Sequence, residues 1–304
     1  MPSSSRSATT IPMAFDYFPI LTNQITDISQ HPVDSGGYSS IYQGRWVNPT
    51  TGRQERVAIK SLRAKGLNCD ALSKLLTKRV LREAYTWDEI TKTGHKNILP
   101  FLGLLIDLSI DPRCPALVGT YCTRKHVLRF LQTHPKPGTV KRLPIIIGIA
   151  RGLQCLHNHN VIHGDLKAQN VLIGENEEPL LSDFGRSRIQ DITGYTTDFA
   201  CVYRYIAPEL LAPSDGEMPK RSKAADIYAF ALLAYEVLTG IEVYHEIKSE
   251  QAIIKHVMAK NRPAKIDPPT TESDMMWKTL EECWNTDQAA RPDIDSLLSR
   301  LESM

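Results

Sequence analysis

The chain has 304 residues, and its 36 Lys and Arg nearly cancel its 34 Asp and Glu, leaving a formal net charge of +2. That length supports one large core or two smaller ones, burying about three quarters of the unfolded chain's surface, and the near-neutral balance without a basic run argues against nucleic acid as a partner. Six cysteines without a C-x-x-C pair argue against zinc and a disulfide framework and fit a reducing, cytoplasmic setting; no segment approaches the ~18 uninterrupted apolar residues of a membrane span.

Residues 1–24 carry Pro2, Pro12, Pro19 and many hydroxyls without a period and read as a flexible leader with no apolar signal stretch. Short strands follow at 25–32, 38–46 and 56–62, the last two joined by the turn-rich Asn48-Pro49-Thr50-Thr51-Gly52. Apolar residues at 72, 75, 76, 80, 84, 87 and 90 predict a helix over 70–93, stopped by Gly94. Strands are expected at 98–106 and 116–121, and helices beyond residue 124, notably 143–157 and 224–238. The apolar run 227–235 reads as a buried helix. Strands first and helices later imply an α+β protein of two lobes.

Two segments carry the chemistry. His163-Gly164-Asp165-Leu166-Lys167-Ala168-Gln169-Asn170 lies between the apolar pair Val161-Ile162 and the short strand Val171-Leu172-Ile173, so Asp165 is held between rigid elements. Asp183-Phe184-Gly185 follows. Asp183 and Asn170 are oxygen donors suited to a hard cation such as Mg²⁺. In Val57-Ala58-Ile59-Lys60 the two-residue period of a strand sets Ala58 and Lys60 on one face and Val57 and Ile59 on the other. Taken singly, these features have ordinary alternatives: Lys60 an edge charge, Glu83 an exposed helix carboxylate, Gly36-Gly37 a hairpin turn.

In order and with these gaps, the motifs resemble a protein kinase domain over residues 25–302, with an N-lobe at about 25–119, a hinge at about 120–123 and a C-lobe at about 124–302. The resemblance implies a bilobal kinase fold: a small antiparallel-sheet N-lobe with one long helix and a larger, mainly helical C-lobe. It implies ATP and Mg²⁺ as cofactors and a protein substrate, with ATP between the lobes. Asp165 becomes the base, Lys167 the stabiliser of the transferring phosphoryl group, and Asn170 and Asp183 the metal ligands. Lys60 contacts the α and β phosphates and pairs with Glu83. The nucleotide is lined by Val33, Gly36, Gly37, Ile41, Ala58, Thr120, Cys122 and Leu172. Glu209 of Ala207-Pro208-Glu209 pairs with Arg291, Asp226 bonds the catalytic loop's backbone, and Trp87, Phe101, Phe184 and His163 form an apolar spine. Trp284 after Cys283 and the Arg291-Pro292 ending are most similar to the tyrosine-kinase-like branch, whose members mostly phosphorylate Ser or Thr; Lys167 points the same way.

The chain departs from the family pattern at several positions. Asp34 and Ser39 stand where the phosphate-covering loop has glycines, and a carboxylate at 34 repels ATP unless it points to solvent. Gly164 replaces an Arg that receives an activation-loop phosphate, so activity is expected not to require phosphorylation at Thr193, Tyr195, Thr196 or Thr197, with Arg188 or Arg204 as substitute receivers. Val202 replaces a Thr. Gly119 falls at the gatekeeper position, which predicts an open back pocket that admits bulky adenine analogues. Asp34, Ser39, Gly164 and Val202 motivate the alternative of a pseudokinase, a nucleotide-binding or scaffold module with little turnover. A small-molecule phosphotransferase shares His-Gly-Asp but lacks the segment from Asp-Phe-Gly to Ala-Pro-Glu.

Overall fold

The computed structural model describes residues 9–10, 15–36, 39–63, 69–107, 109–111, 114–134, 140–189, 192–193, 203–211, 220–265 and 271–304. They divide into two compact units, the first drawn from the spans 1–94, 99–122 and 191–195, the second from 95–98, 123–190 and 196–304. The fold is α+β and kinase-like: a smaller sheet-rich lobe with one long helix, and a larger helical lobe.

The first unit contains β1 (Thr9–Thr10), β2 (Ile25–Thr26), β3 (Asp34–Ser35), β4 (Ser39–Val47), β5 (Gln54–Leu62), α1 (Cys69–Thr91), β6 (Phe101–Leu105), β7 (Ala116–Thr120) and β12 (Ile192–Thr193). Its six-stranded sheet runs β2-β4-β5-β7-β6, with β3 also paired to β4, and β1 pairs with β12 separately. The alternation in β5 is the one its sequence dictates: Val57 and Ile59 are fully buried in a core with Leu21, Ile25, Trp46, Leu105, Ala116 and Val118. Ala58 and Lys60 take the opposite face. The strand expected at 25–32 is reduced to Ile25–Thr26, because Asp27 adopts a positive φ of 52° that ends the ladder, and the next strand begins only at Asp34, beyond the expected range. Gly94 closes α1 by donating its N–H to the Thr91 carbonyl.

Within the expected leader of residues 1–24, the described stretch 15–24 packs as part of the first unit. A 3₁₀ turn at Phe15–Tyr17 leads into the buried Phe18 and Leu21, and this strap is laced to β6 by Leu21 N–H to Leu104 O (2.7 Å) and Leu104 N–H to Pro19 O (2.8 Å). Two isolated apolar anchors among prolines have no period to read, yet each buries enough surface to contribute about 1.5–3 kcal/mol.

The second unit contains α2 (Val127–Gln132), α3 (Arg142–Asn158), β8 (Val161–Ile162), β9 (Val171–Ile173), β10 (Pro179–Leu181), β11 (Arg188–Ile189), α4 (Pro208–Leu211), α5 (Lys223–Thr239), α6 (Glu250–Met258), α7 (Thr271–Cys283) and α8 (Ile294–Glu302). Two short antiparallel ribbons, β9-β10 and β8-β11, frame the loop that carries Asp165. Helix α5 starts at Ser222, whose hydroxyl caps Ala225 N–H, and residues 225–234 are all buried. No helix among the described residues is long and apolar enough to cross a membrane.

Candidate active site

Lys60 stands on the face of β5 opposite the core and donates to Glu83 Oε1 of α1 at 2.7 Å, with side-chain exposures of 14% and 2%. Such a pair is well shielded, and loss of either member leaves a costly buried charge. Ala58, Ile41 and Thr120 are half-buried in the same unit, whereas Cys122 is buried.

The loop at Gly36 is closed by Gly36 N–H to Ser39 O at 3.0 Å, and Arg63 donates to the carbonyls of both Gly36 and Ser39 (2.6 and 2.8 Å). Asp34 is exposed, and its carboxylate accepts the N–H of its own neighbour Ser35 at 2.8 Å. Val33, beside it, is exposed and donates its N–H to Ile41 O. Gly37 lies outside the described residues.

The space expected to stand open beside Gly119 is occupied by Trp87. A Cβ placed on Gly119 falls 2.7 Å from Cζ2 and Cη2 of Trp87, so the indole already fills the space that a side chain at 119 would occupy. Trp87 is anchored by Nε1–H to Leu99 O at 2.6 Å and by Phe101, 5.2 Å away between ring centroids. That contact is the first-unit half of the expected spine; in the second unit His163 and Phe184 lie 5.8 Å apart.

In the second unit the catalytic-loop candidate is tied down from beneath. Asp226, in the first turn of α5 and 2% exposed, accepts His163 N–H at 2.8 Å and Gly164 N–H at 2.9 Å, and it lies 3.0 Å from His157 Nε2. His163 is fully buried, and burial holds its imidazole below the usual histidine range. Its Nδ1 accepts Asp165 N–H and its Nε2–H donates to Ser182 O, the pairing of a neutral ring. The Asp165 carboxylate emerges above, 11% exposed, taking Lys167 Nζ on Oδ2 at 2.8 Å and Arg186 Nη1 on Oδ1 at 3.2 Å.

Asn170 donates its amide to Asp165, to the carbonyl at 2.8 Å and to Oδ2 at 3.2 Å, which leaves its Oδ1 as the atom available to a cation. Asp183 adopts a left-handed conformation, φ 65° and ψ 69°. For a residue with a Cβ this costs about 1–2 kcal/mol and is the kind of local strain retained where a side chain must be aimed. Among the described residues no group of three or more His, Cys, Asp and Glu forms a metal cage. One amide oxygen and one carboxylate fit Mg²⁺, which binds through one or two protein oxygens and completes its octahedron with phosphate and water. Leu172, in the middle of β9, is half-buried in this unit.

Two residues near this loop carried no sequence signal. Arg186 follows Asp-Phe-Gly directly, and only the fold brings it to Asp165. Arg221 explains Gly164: φ there is +70°, and a Cβ would fall 2.6 Å from Arg221 Cδ and 3.0 Å from Arg186 O, so Arg221 occupies the space of any side chain at 164 and donates to Arg186 O at 3.2 Å. Of the substitute receivers, Arg204 is engaged by the carbonyls of Val243 (2.9 Å) and Tyr244 (2.6 Å) and performs a structural task. Tyr195, Thr196, Thr197 and Val202 lie outside the described residues. Glu209 and Arg291 form the expected bidentate pair at 2.7 and 2.8 Å.

Residues 28–301 match the family model described as protein tyrosine and serine/threonine kinase. The chain is 30% identical over 278 residues to serine/threonine-protein kinase STY46 of Arabidopsis thaliana, covering 90% of this chain and 43% of that protein. It is 29% identical over 275 residues to serine/threonine-protein kinase STY17 of the same plant, with the same 90% and 43% coverage. Mitogen-activated protein kinase kinase kinase 10 of Homo sapiens is 30% identical over 278 residues, 88% of this chain and 26% of that protein. The chain thus spans less than half the length of these relatives.

Proposed function

Because the chain belongs to the protein tyrosine and serine/threonine kinase family, we propose that it transfers the γ-phosphoryl group of ATP to a serine or threonine hydroxyl of a protein substrate, as an active member of the tyrosine-kinase-like branch. The observation that carries this reading is the loop at 163–170, where one carboxylate, Asp165, holds Lys167 and Asn170 while Asp226 fixes the backbone beneath it. A scaffold without turnover would need the Asp226 anchor for its stability but not the convergence of Lys167 and Asn170 on the Asp165 carboxylate.

Asp165 accepts the proton of the substrate hydroxyl as its oxygen attacks phosphorus, and Lys167 balances charge on the transferring group. Lys60, positioned by Glu83, holds the α and β phosphates. Asn170 Oδ1 and the Asp183 carboxylate would hold Mg²⁺, which supplies charge neutralisation at the phosphate oxygens. Val33, Gly36, Gly37, Ile41, Ala58, Thr120, Cys122 and Leu172 line the nucleotide. The names of the plant relatives and Lys167 favour Ser/Thr over Tyr acceptors. Among the described residues Cys114, Cys122, Cys155 and Cys283 are buried thiols, in keeping with a reducing, cytoplasmic setting.

Asp34, one of the four residues that motivate the pseudokinase alternative, is exposed and bonded to its neighbour's N–H, which reduces its repulsion of a phosphate. An acceptor-protein phosphorylation assay with wild type and Asp165→Asn tests the proposal. Transfer by wild type that falls at least ~10²-fold in the variant supports it; equal, background-level signal from both supports the scaffold.

A further inference from the structure

Gly119, next to last in β7, puts no side chain of its own beside Ala58, although residues 58 and 119 are cross-strand partners whose side-chain directions share one face of the sheet. On α1, Glu83 and Trp87 are four residues apart and therefore share a helix face. Glu83 meets Lys60 on β5, and one turn further on Trp87 covers Gly119 on β7. The indole is 5% exposed, and its N–H is bound to Leu99 O, so it cannot swing aside without leaving a buried donor unpaired.

We propose that Trp87, carried by the helix, rather than residue 119, carried by the strand, sets the size limit on the purine edge of the nucleotide. This rests on the kinase reading above, which lays adenine over Ala58. A glycine at 119 then confers no tolerance of bulky purines, because the volume it leaves is filled from α1. Purine selectivity becomes a property of where α1 sits on the sheet, shared with the Lys60–Glu83 pair.

The test compares binding of ATP and N6-benzyl-ATP, each with Mg²⁺, to wild type and Trp87→Leu. Wild type is expected to bind the benzyl analogue about 10- to 100-fold more weakly than ATP, and Trp87→Leu to bring the two within about threefold. Equal binding of both nucleotides by wild type, or no gain in Trp87→Leu, overturns the proposal while leaving the kinase reading intact. Failure of wild type to bind either nucleotide removes both. A thermal-melting cycle needs no nucleotide: Gly119→Ala should lower the melting temperature of wild type by about 3–10 °C and that of Trp87→Leu by much less. Equal shifts in the two backgrounds would also overturn it.

Discussion

The two units hold their functional charges by different means. In the sheet-rich unit, Lys60 stands on a strand and its counter-charge comes from α1, 23 residues away in sequence, so the pair reports where a helix rests on a sheet. In the helical unit, Asp165 takes Lys167 and Asn170 from within five residues, and its loop is fixed by a buried carboxylate in the first turn of α5. A strand–helix pair can be opened by sliding one element, whereas the loop can be disrupted only by unpairing buried groups. The first arrangement suits adjustment and the second suits permanence.

The largest effect should come from breaking the permanent side. Asp226→Ala leaves the N–H groups of His163 and Gly164 without their acceptor, which should cost about 3–5 kcal/mol of stability and more than ~100-fold in phosphate transfer; calorimetry and an acceptor assay check both. Breaking the adjustable side should slow transfer at a smaller cost in stability than the loss of Asp226. Glu83→Gln is expected to reduce kcat/KM for ATP by about 10- to 100-fold, and steady-state kinetics within twofold of wild type would show that the pair does not position Lys60.

Glu236 sharpens the contrast through pH. Burial pushes its carboxyl up to about 7, against hydrogen bonds from Tyr205 O–H and Val243 N–H that favour the charged form. Its folded value lies above the ordinary 4.5, so the folded state binds the extra proton between those limits and stability falls as pH rises through about 7. Relative to Glu236→Gln, wild type should lose on the order of 2–3 kcal/mol between pH 5 and 8 in denaturant titrations. The smallest effect concerns Arg186, which occupies Asp165 Oδ1, an oxygen of the carboxylate that the proposed mechanism offers to a substrate hydroxyl. Arg186→Gln should lower the KM for the protein acceptor about two- to fivefold and leave that for ATP unchanged.

Much of this was legible from periodicity and spacing. The face assignment in Val57-Ala58-Ile59-Lys60, the stop of α1 at Gly94, the Lys60–Glu83 and Glu209–Arg291 pairs and the Asp226 anchor all appear where their motifs placed them. These depend on strand period, helix caps or an ordered set of motifs. What escaped depends on tertiary volume. Gly119 reads as an open space until α1 delivers an indole into it, Gly164 as a missing cation until Arg221 fills its column, and Phe18 and Leu21 as part of a leader until they meet β6. A glycine states only that its own side chain is missing, and its neighbours in space decide what takes the room.

The central claim is the proposed phosphoryl transfer, for which Lys60, Glu83, Asp165, Asn170 and Asp183 are each required. Transfer of labelled γ-phosphate from ATP to a generic protein acceptor, with and without Mg²⁺, tests it most directly across wild type, Lys60→Met, Asp165→Asn and Asp183→Asn. We predict Mg²⁺-dependent turnover of about 1–100 s⁻¹ by wild type and a loss of at least ~100-fold in every variant. Wild-type transfer no greater than that of Asp165→Asn would contradict it.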